Sequence, residues 1–243
     1  MIWVNDKTGR FKKRPHYSPE ELDFECEKVV KNFLENKYQK YELPVSTEDL
    51  AILIEQSTED FDSCCDLSEE GDDVEGITYF GKNKKPIVKI SDRLQEDFLE
   101  NRLRTTLTHE FFHVKFHDFL YQIEEPPSLF NLKQDISNSE NTHKCKRDNI
   151  LKATTKDWME WQAGYGCGAF LIPSSELTKG ISDFRTTSNL PYENISLDSP
   201  DAEILIFFVS QRFQTSEEAA KIRLLQKGFI SNNSVQTNMR FIQ

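Results

Sequence analysis

Two stretches near the start of the chain carry apolar residues at intervals of three and four, the spacing that places side chains on one face of a helix. The first follows Ser18 and Pro19, which suit the N-cap and the first helical position, and it extends to about Tyr38. The second stretch follows Ser46 in the same way. The pattern therefore predicts two N-terminal helices, separated by the break at Pro44.

A different pattern, with β-branched and aromatic residues in short runs, begins at Gly76. Residues 76–80 and 86–90 are typical of two hairpin strands, joined by a turn that contains Gly81 and Asn83. The preceding residues 59–75 are acidic and contain serine and glycine, which predicts a surface loop. An exposed strand edge can pair with an extended substrate, and residues 86–90 are either such a binding edge or an ordinary edge strand.

Helical spacing returns after the hairpin, with apolar residues at 98, 99, 103, 107, 111 and 114. A further helix is predicted from about Asp157 until Pro173 ends it, and its second half contains Gly164, Gly166 and Gly168. Each glycine destabilises a helix by about 1 kcal/mol relative to alanine, so this cluster indicates close approach to another helix. The helix around residue 110 is the expected neighbour.

The remaining segments complete the predicted organisation. Residues 122–150 form an irregular excursion that contains two adjacent prolines, and residues 202–230 form a helical pair followed by a polar tail. Together the elements predict an α+β fold with a small antiparallel sheet and mostly helices. The expected division is an N-terminal helical segment (1–60), a central domain (61–185) and a C-terminal helical module with its tail (186–243).

Composition narrows the classes of partner. The chain has 243 residues and a formal net charge of −11, which opposes the phosphate contacts that dominate nucleic-acid affinity. The short basic run at residues 10–15 is interpreted as a solvated N-terminal arm. The N-terminus lacks a signal-peptide pattern and the longest apolar run, residues 204–209, is too short to span a bilayer. We therefore expect a cytoplasmic protein with no membrane partner.

The five cysteines indicate a reducing compartment. Their number is odd and Cys64 and Cys65 are adjacent, which is a poor framework for disulfides. Zinc ligation by Cys64, Cys65 or Cys145 is an alternative, although these residues lack the two-residue spacing of a zinc knuckle. Reduced thiols are the favoured interpretation.

A candidate metal site lies in the predicted helix around residue 110. His109, Glu110 and His113 match the H-E-x-x-H pattern of metallopeptidases. Residues four apart share a helix face and lie about 6 Å apart along the axis, so both imidazoles can reach one ion while Glu110 takes a proton from metal-bound water. His117 lies about 12 Å from His109 along the helix axis, and it is expected behind the ligands or at the helix end.

A catalytic zinc site needs a third protein ligand and an open position. The helix that begins near Asp157 is the best supplier, and either Glu160 or Asp157 can provide the carboxylate. Spacing favours Glu160 without deciding between them. One zinc ion per chain is expected, and manganese and iron are alternatives because two histidines and a carboxylate accept several divalent ions.

Four ordered segments resemble the ImmA/IrrE-type metallopeptidases. They are the hairpin at 76–78 and 86–88, the zinc-binding stretch at 105–114, the helix that begins with Glu160 and ends at 170–173, and the C-terminal module from 209 to 230. The resemblance implies a zincin-like catalytic domain, Glu160 as the third ligand and Glu110 as the general base. It also implies a narrow protein substrate, a helix-turn-helix transcriptional repressor.

The sequence departs from that family in two places. Glycines stand at 164, 166 and 168, where the family has asparagine or bulkier residues, so this helix is expected to pack more closely. The insertion at about 122–152 is longer than in many members and is a candidate lid. Tyr165 is considered as the donor that steadies the oxyanion, and that role is left unassigned.

A different class of function is also open. The C-terminal module has a helix-turn-helix look, but Glu217 and Glu218 would meet DNA phosphates with the wrong charge. A DNA- or protein-binding regulator that retains zinc without peptidase activity is therefore the alternative. The intact Glu110 favours the enzyme, since an inactive site has no use for a base.

Overall fold

The computed structural model describes residues 1–122, 142–146, 157–188 and 195–232, with the backbone alone for 142–146. The chain divides into two compact units, Met1–Leu171 and Ile172–Gln243. The first unit contains all the residues of the predicted metal site. Helices and small sheets together give a mixed α and β architecture, as predicted. None of the helices in the described part combines the length and apolar character that a bilayer crossing requires.

The first residues form a β-hairpin, in which β1 (Ile2–Asn5) pairs antiparallel with β2 (Lys13–His16). The Arg14 guanidinium lies over the Trp158 ring, 5.3 Å from its centroid, and Arg10 pairs with Asp157 at 3.3 Å. Arg10, Lys12 and Lys13 are exposed, as predicted for a solvated run, but the run belongs to a packed hairpin instead of a free arm. The aromatic and acidic partners lie more than 140 residues further along the chain, beyond the reach of local pattern reasoning.

Two helices follow where the sequence predicts them. Helix α1 spans Pro19–Tyr38, and Ser18 forms a capping box with Glu21. Helix α2 spans Thr47–Ser57, and the Ser46 hydroxyl accepts a hydrogen bond from the Asp49 amide. Helix α1 packs against the helix Trp158–Leu171, and α2 packs against Glu100–Phe116. The N-terminal helices thus support the two helices on which the metal site was predicted.

Asp49 ties the end of α1 to the start of α2. Its carboxylate accepts hydrogen bonds from Lys37 at 2.7 Å and from the Tyr38 hydroxyl at 3.1 Å. Burial alone would raise the pKa of Asp49, and this is the largest single effect. Hydrogen bonds from Lys37, Ser46 and Tyr38 together outweigh it and hold the pKa below its ordinary value.

Replacing Asp49 by asparagine is expected to lower the thermal unfolding midpoint at pH 7 by roughly 2–8 °C, because charge-assisted hydrogen bonds are lost. A lowered folded-state pKa stabilises the protein above the unfolded-state value and ceases to do so as the pH falls through the folded-state value. The difference between parent and Asp49→Asn should therefore shrink below about pH 4. Thermal unfolding followed by circular dichroism at both pH values tests this, and equal midpoints at pH 7 would contradict it.

A four-stranded sheet follows α2. Its strands are β3 (Asp60–Cys65), β4 (Val74–Tyr79), β5 (Ile87–Ser91) and β6 (Thr142–Lys146), in the order β3-β5-β4-β6. Strand β4 pairs antiparallel with both β5 and β6, whereas β3 is parallel to β5. The predicted hairpin is confirmed, but the sheet is mixed instead of wholly antiparallel.

Two sequence predictions about this sheet were wrong. Residues 59–75 include strand β3, whose six residues are mostly exposed and show no alternation of buried and exposed positions. Residues 86–90 form an interior strand, since β3 and β4 flank β5, and the edges of the described sheet belong to β3 and β6. Both errors arise because the pairing partners of β4 and β5 come from segments with weak strand patterns.

Helix α3 (Glu100–Phe116) lies against the sheet, and α4 (Asp118–Gln122) follows it. Helix α5 (Trp158–Leu171) packs along α3. A Cβ atom added at Gly166 would lie 1.9 Å from Cδ2 of Phe112, so only glycine permits this approach. The predicted contact between the glycine-containing helix and the metal-site helix is thereby confirmed at Gly166.

The second unit is also mainly helical. It contains α6 (Ser174–Ser188), α7 (Pro200–Phe213) and α8 (Glu217–Gln226), with β7 (Ile195–Ser196) parallel to β8 (Ile230–Ser231). Helices α7 and α8 pack together and form the predicted C-terminal pair. The candidate lid at 122–152 lies outside the described residues except for 122 and the backbone of β6. The three-part division at residues 60 and 185 stays a prediction.

Candidate metal centre

Three side chains from two helices converge inside the first unit. His109 and His113 lie one turn apart on α3, and their Nε2 atoms are 3.1 Å from each other. Glu160, in the first turn of α5, places its two carboxylate oxygens against different histidines, with Oε2 3.3 Å from Nε2 of His109 and Oε1 3.3 Å from Nε2 of His113. All three residues are buried, and their ligand atoms lie within 4.8 Å of one another. This group can hold a metal ion.

The distances between the candidate ligand atoms are small enough for all three side chains to reach one metal ion. Zinc bonds of about 2.0–2.1 Å to nitrogen and oxygen imply separations of about 3.3–3.4 Å between ligand atoms at tetrahedral angles. The two Nε2 atoms are 3.1 Å apart and each lies 3.3 Å from a different Glu160 oxygen, and with one ligand atom taken from each residue all separations are within 4.8 Å. Two imidazoles and a carboxylate also form the donor set of many catalytic zinc sites. Within the described residues, this is the one cluster of histidine, cysteine and acidic side chains with metal-binding geometry.

The electrostatic environment of the cluster favours positive charge. Burial is the largest effect on His109 and by itself lowers the pKa of the imidazole. The hydrogen bond and charge of Glu160, together with the charge of Glu110, outweigh burial and raise the pKa of His109 above its ordinary value. The carboxylates of Glu160 and Glu110 therefore stabilise positive charge beside the imidazoles. A bound divalent cation would supply that positive charge.

Asp157, the competing candidate for third ligand, has another role. Its Oδ1 atom accepts the backbone N–H groups of Met159 at 3.2 Å and Glu160 at 3.5 Å, as an N-cap residue does. Its Oδ2 atom accepts a hydrogen bond from Arg10. The carboxylate therefore starts α5 and fixes the N-terminal hairpin, while Glu160 joins the histidines.

Glu110 lies beside the three candidate ligands and is fully buried. The Thr78 hydroxyl of β4 donates a short hydrogen bond to its Oε2 atom. A Cβ atom added at Gly76, also on β4, would lie 2.7 Å from Oε1 and 2.9 Å from Cγ of Glu110. Strand β4 thus positions the Glu110 carboxylate, because the Thr78 hydroxyl binds one oxygen and the absence of a side chain at Gly76 leaves room for the other.

Sequence reasoning did not assign Thr78 and Gly76 to the site. A glycine within a strand often marks close approach of another group, so Gly76 carried a usable signal. A buried threonine on a strand carries none, because β-branched residues are common there.

His117 lies behind His113 instead of at the candidate metal position. Its Nδ1 atom is 2.9 Å from Nδ1 of His113, and its Nε2 atom is 3.1 Å from Oε1 of Gln162. Its backbone N–H also donates to the His113 carbonyl and closes helix α3. Both expected roles, behind the ligands and at the helix end, are therefore observed together. Gln162 is a further residue that sequence reasoning missed.

Two minor predictions also have outcomes. The Tyr165 hydroxyl donates to Asp23 of α1 at 3.2 Å, so it serves the packing of α1 on α5 and its oxyanion role stays unassigned. The four cysteines whose side chains are described form no disulfide among themselves, as expected for thiols: Cys26, Cys64, Cys65 and Cys167. The side chain of Cys145 lies outside the described residues.

Comparisons with known proteins identified no relative of the chain. No protein-family model matches the chain, and no curated protein matches it. The geometry of the site and the resemblance of its motifs are therefore the basis for assigning a function.

Proposed function

We propose that the chain is a zinc-dependent endopeptidase. The observation that carries this proposal is the convergence of His109, His113 and Glu160 in one buried cluster with Glu110 directly beside it. Two imidazoles and a carboxylate leave a fourth coordination position for a reactant. Glu110 supplies a carboxylate that is held in place by Thr78 and is suited to proton transfer.

The chemistry divides between the ion and the protein. A zinc ion held by His109, His113 and Glu160 would act as a Lewis acid, lowering the pKa of a water molecule to about 7 and polarising a peptide carbonyl. Glu110 accepts a proton from the attacking water and then delivers it to the leaving amine. Thr78 and Gly76 orient Glu110 for both transfers, because the hydroxyl fixes one oxygen and the glycine leaves room for the carboxylate.

The substrate proposal rests on the resemblance to ImmA/IrrE-type metallopeptidases. It comprises a zincin-like domain that acts in the cytoplasm on a narrow protein target, a helix-turn-helix transcriptional repressor. The net charge of −11 supports a protein substrate over direct binding to nucleic acid. Zinc is preferred over manganese or iron because two imidazoles and one carboxylate are the donor set of many catalytic zinc sites.

Metal content provides the direct test. The purified parent, supplied with zinc and dialysed, is expected to retain one zinc ion per chain, and His113→Ala and Glu160→Ala should lose most of it because each lacks a ligand. Asp157→Ala is the matched control, since it removes a neighbouring carboxylate that caps α5 and should leave zinc content unchanged. Inductively coupled plasma mass spectrometry gives the stoichiometry.

The possible outcomes separate the alternatives. A parent that holds no zinc would refute the peptidase and leave a regulatory role. If His113→Ala and Asp157→Ala lose zinc while Glu160→Ala retains one zinc ion per chain, the third ligand is misassigned. Peptidase activity itself is tested with a mixture of proteome-derived peptides, in which new N-termini appear only with the zinc-loaded parent if the proposal is correct.

A further inference from the structure

A buried line of hydrogen bonds connects the candidate metal centre to the N-terminal hairpin. Nδ1 of His113 is 2.9 Å from Nδ1 of His117, and Nε2 of His117 is 3.1 Å from Oε1 of Gln162. The Gln162 amide then donates to the backbone carbonyl of Pro15, 3.1 Å away, in strand β2. The side chains of His113, His117 and Gln162 are at most 1% exposed, so water does not compete for these bonds.

The backbone carbonyl fixes the direction of the whole line. A carbonyl oxygen only accepts hydrogen bonds, so the NH₂ group of Gln162 must face Pro15 and its carbonyl oxygen must face His117. That oxygen also only accepts, so Nε2 of His117 must carry a hydrogen. In a neutral ring, Nδ1 of His117 is then an acceptor, and the hydrogen between the two histidines belongs to Nδ1 of His113.

The last step reaches the metal centre. A neutral imidazole with hydrogen on Nδ1 has its lone pair on Nε2, and Nε2 is the atom of His113 that faces His109 and Glu160. A metal ligand requires this tautomer, and the hydrogen bond made by the other ring nitrogen selects it.

His117 is itself held in one orientation. Its ring meets Phe112 at a centroid distance of 5.3 Å and Trp158 at 5.5 Å, with interplanar angles of 69° and 84°. Neither aromatic ring offers an alternative strong acceptor for the imidazole N–H. The ring is therefore sterically held, and the Gln162 carbonyl oxygen assigns a hydrogen to its Nε2 atom.

We propose that His117 and Gln162 are positioning residues that hold His113 in its metal-binding tautomer, with the Pro15 carbonyl as the fixed end of the line. This inference rests on the proposed metal site. It extends that site because it gives the N-terminal hairpin a role in metal affinity, although the hairpin contributes no ligand.

Zinc affinity, measured by competition with a chromophoric chelator, tests the roles of both residues. His117→Phe and Gln162→Leu retain bulk but remove the hydrogen-bonding groups, and each is expected to weaken zinc binding by about 10–100-fold. His117→Asn keeps an acceptor near the position of Nδ1, and Gln162→Glu keeps the acceptor for Nε2 of His117. These conservative variants should recover most of the affinity, whereas a purely structural role would not follow that pattern.

The tautomer is measured separately on metal-free protein. Nitrogen-15 NMR of labelled histidine rings should assign the hydrogen of His113 to Nδ1 in the parent. In Gln162→Leu it should show a mixture of the two neutral tautomers, with hydrogen on Nδ1 in some molecules and on Nε2 in others. This readout does not depend on metal binding, so a parent with the expected tautomer and no zinc affinity would refute the peptidase alone. Hydrogen on Nε2 of His113 in the parent would overturn the positioning role, as would unchanged zinc affinity in both His117→Phe and Gln162→Leu.

Discussion

Replacing Glu110 by glutamine is expected to reduce peptide hydrolysis by about 10²–10⁴-fold while one zinc ion per chain is retained. Glutamine has nearly the same shape as glutamate, but its amide cannot accept and return a proton. Glu110 is fully buried and contacts β4 through Thr78 and Gly76, so the substitution leaves the surrounding packing in place. The measurement pairs metal content with the rate of cleavage of a peptide selected by the parent from a proteome-derived mixture.

Gly76→Ala is the complementary variant, because its methyl group would lie within 3.0 Å of the Glu110 side chain and displace the carboxylate. It should lower turnover and retain zinc. Gly81→Ala is the matched control, since an added Cβ there would meet only Lys84 at an ordinary 3.4 Å. Parent-like turnover in Glu110→Gln would exclude Glu110 as the base and would direct attention to another proton acceptor.

Gly166→Ala is expected to destabilise the protein by about 1–3 kcal/mol, although alanine is the better helix former by about 1 kcal/mol. The added Cβ would lie 1.9 Å from Cδ2 and 2.2 Å from Cε2 of Phe112. Phe112 is fully buried and stacks on Phe116 at a centroid distance of 4.5 Å, so its ring cannot turn away. Helices α3 and α5 must therefore separate.

The same separation should weaken zinc binding, because α3 carries His109 and His113 and α5 carries Glu160. Denaturant unfolding of Gly166→Ala, Phe112→Leu and the double variant measures the coupling between the two positions. The double variant should be more stable than the sum of the two single losses predicts. A variant Gly166→Ala with the stability of the parent would contradict the close helix contact.

Gly180→Ala provides a control for helix propensity. Its added Cβ would meet the flexible Arg212 side chain, with Nε at 2.7 Å, and this side chain is partly exposed and can move. Because alanine favours the helix, unfolding of Gly180→Ala should show no loss of stability. The contrast with Gly166→Ala separates a backbone preference from a packing conflict.

The parts of the fold that depend on neighbours in sequence were predictable. The caps at Ser18 and Ser46, the hairpin of β4 and β5 and the apolar face of α3 all result from interactions over a few residues. The pairing of His109 with His113 belongs to the same class, since helical geometry alone places side chains four residues apart on one face. Gly166 was also interpretable, because a helix glycine needs a compensating contact.

The parts that depend on distant segments were not. The acidic strand β3 was predicted as a loop because backbone pairing with β5 stabilises it without a buried side-chain pattern. The basic residues Arg10 and Arg14 contact Asp157 and Trp158, which lie more than 140 residues later in the sequence. Residues 86–90 were considered as an edge strand, but β5 is interior because β3, a distant segment with a weak strand pattern, pairs with the side of β5 that faces away from β4.

The candidate site divides in the same way. By itself the sequence determined His109, Glu110 and His113 as one group, because a single helix sets their relative positions. Spacing left both Glu160 and Asp157 open, and the tertiary structure places Glu160 with the histidines, as the family resemblance implied. Only the tertiary structure brought Thr78 and Gly76 to Glu110 and connected His117 through Gln162 to Pro15. These contacts join residues more than 30 positions apart, and the packing of separate elements that fixes them is not encoded in any local spacing.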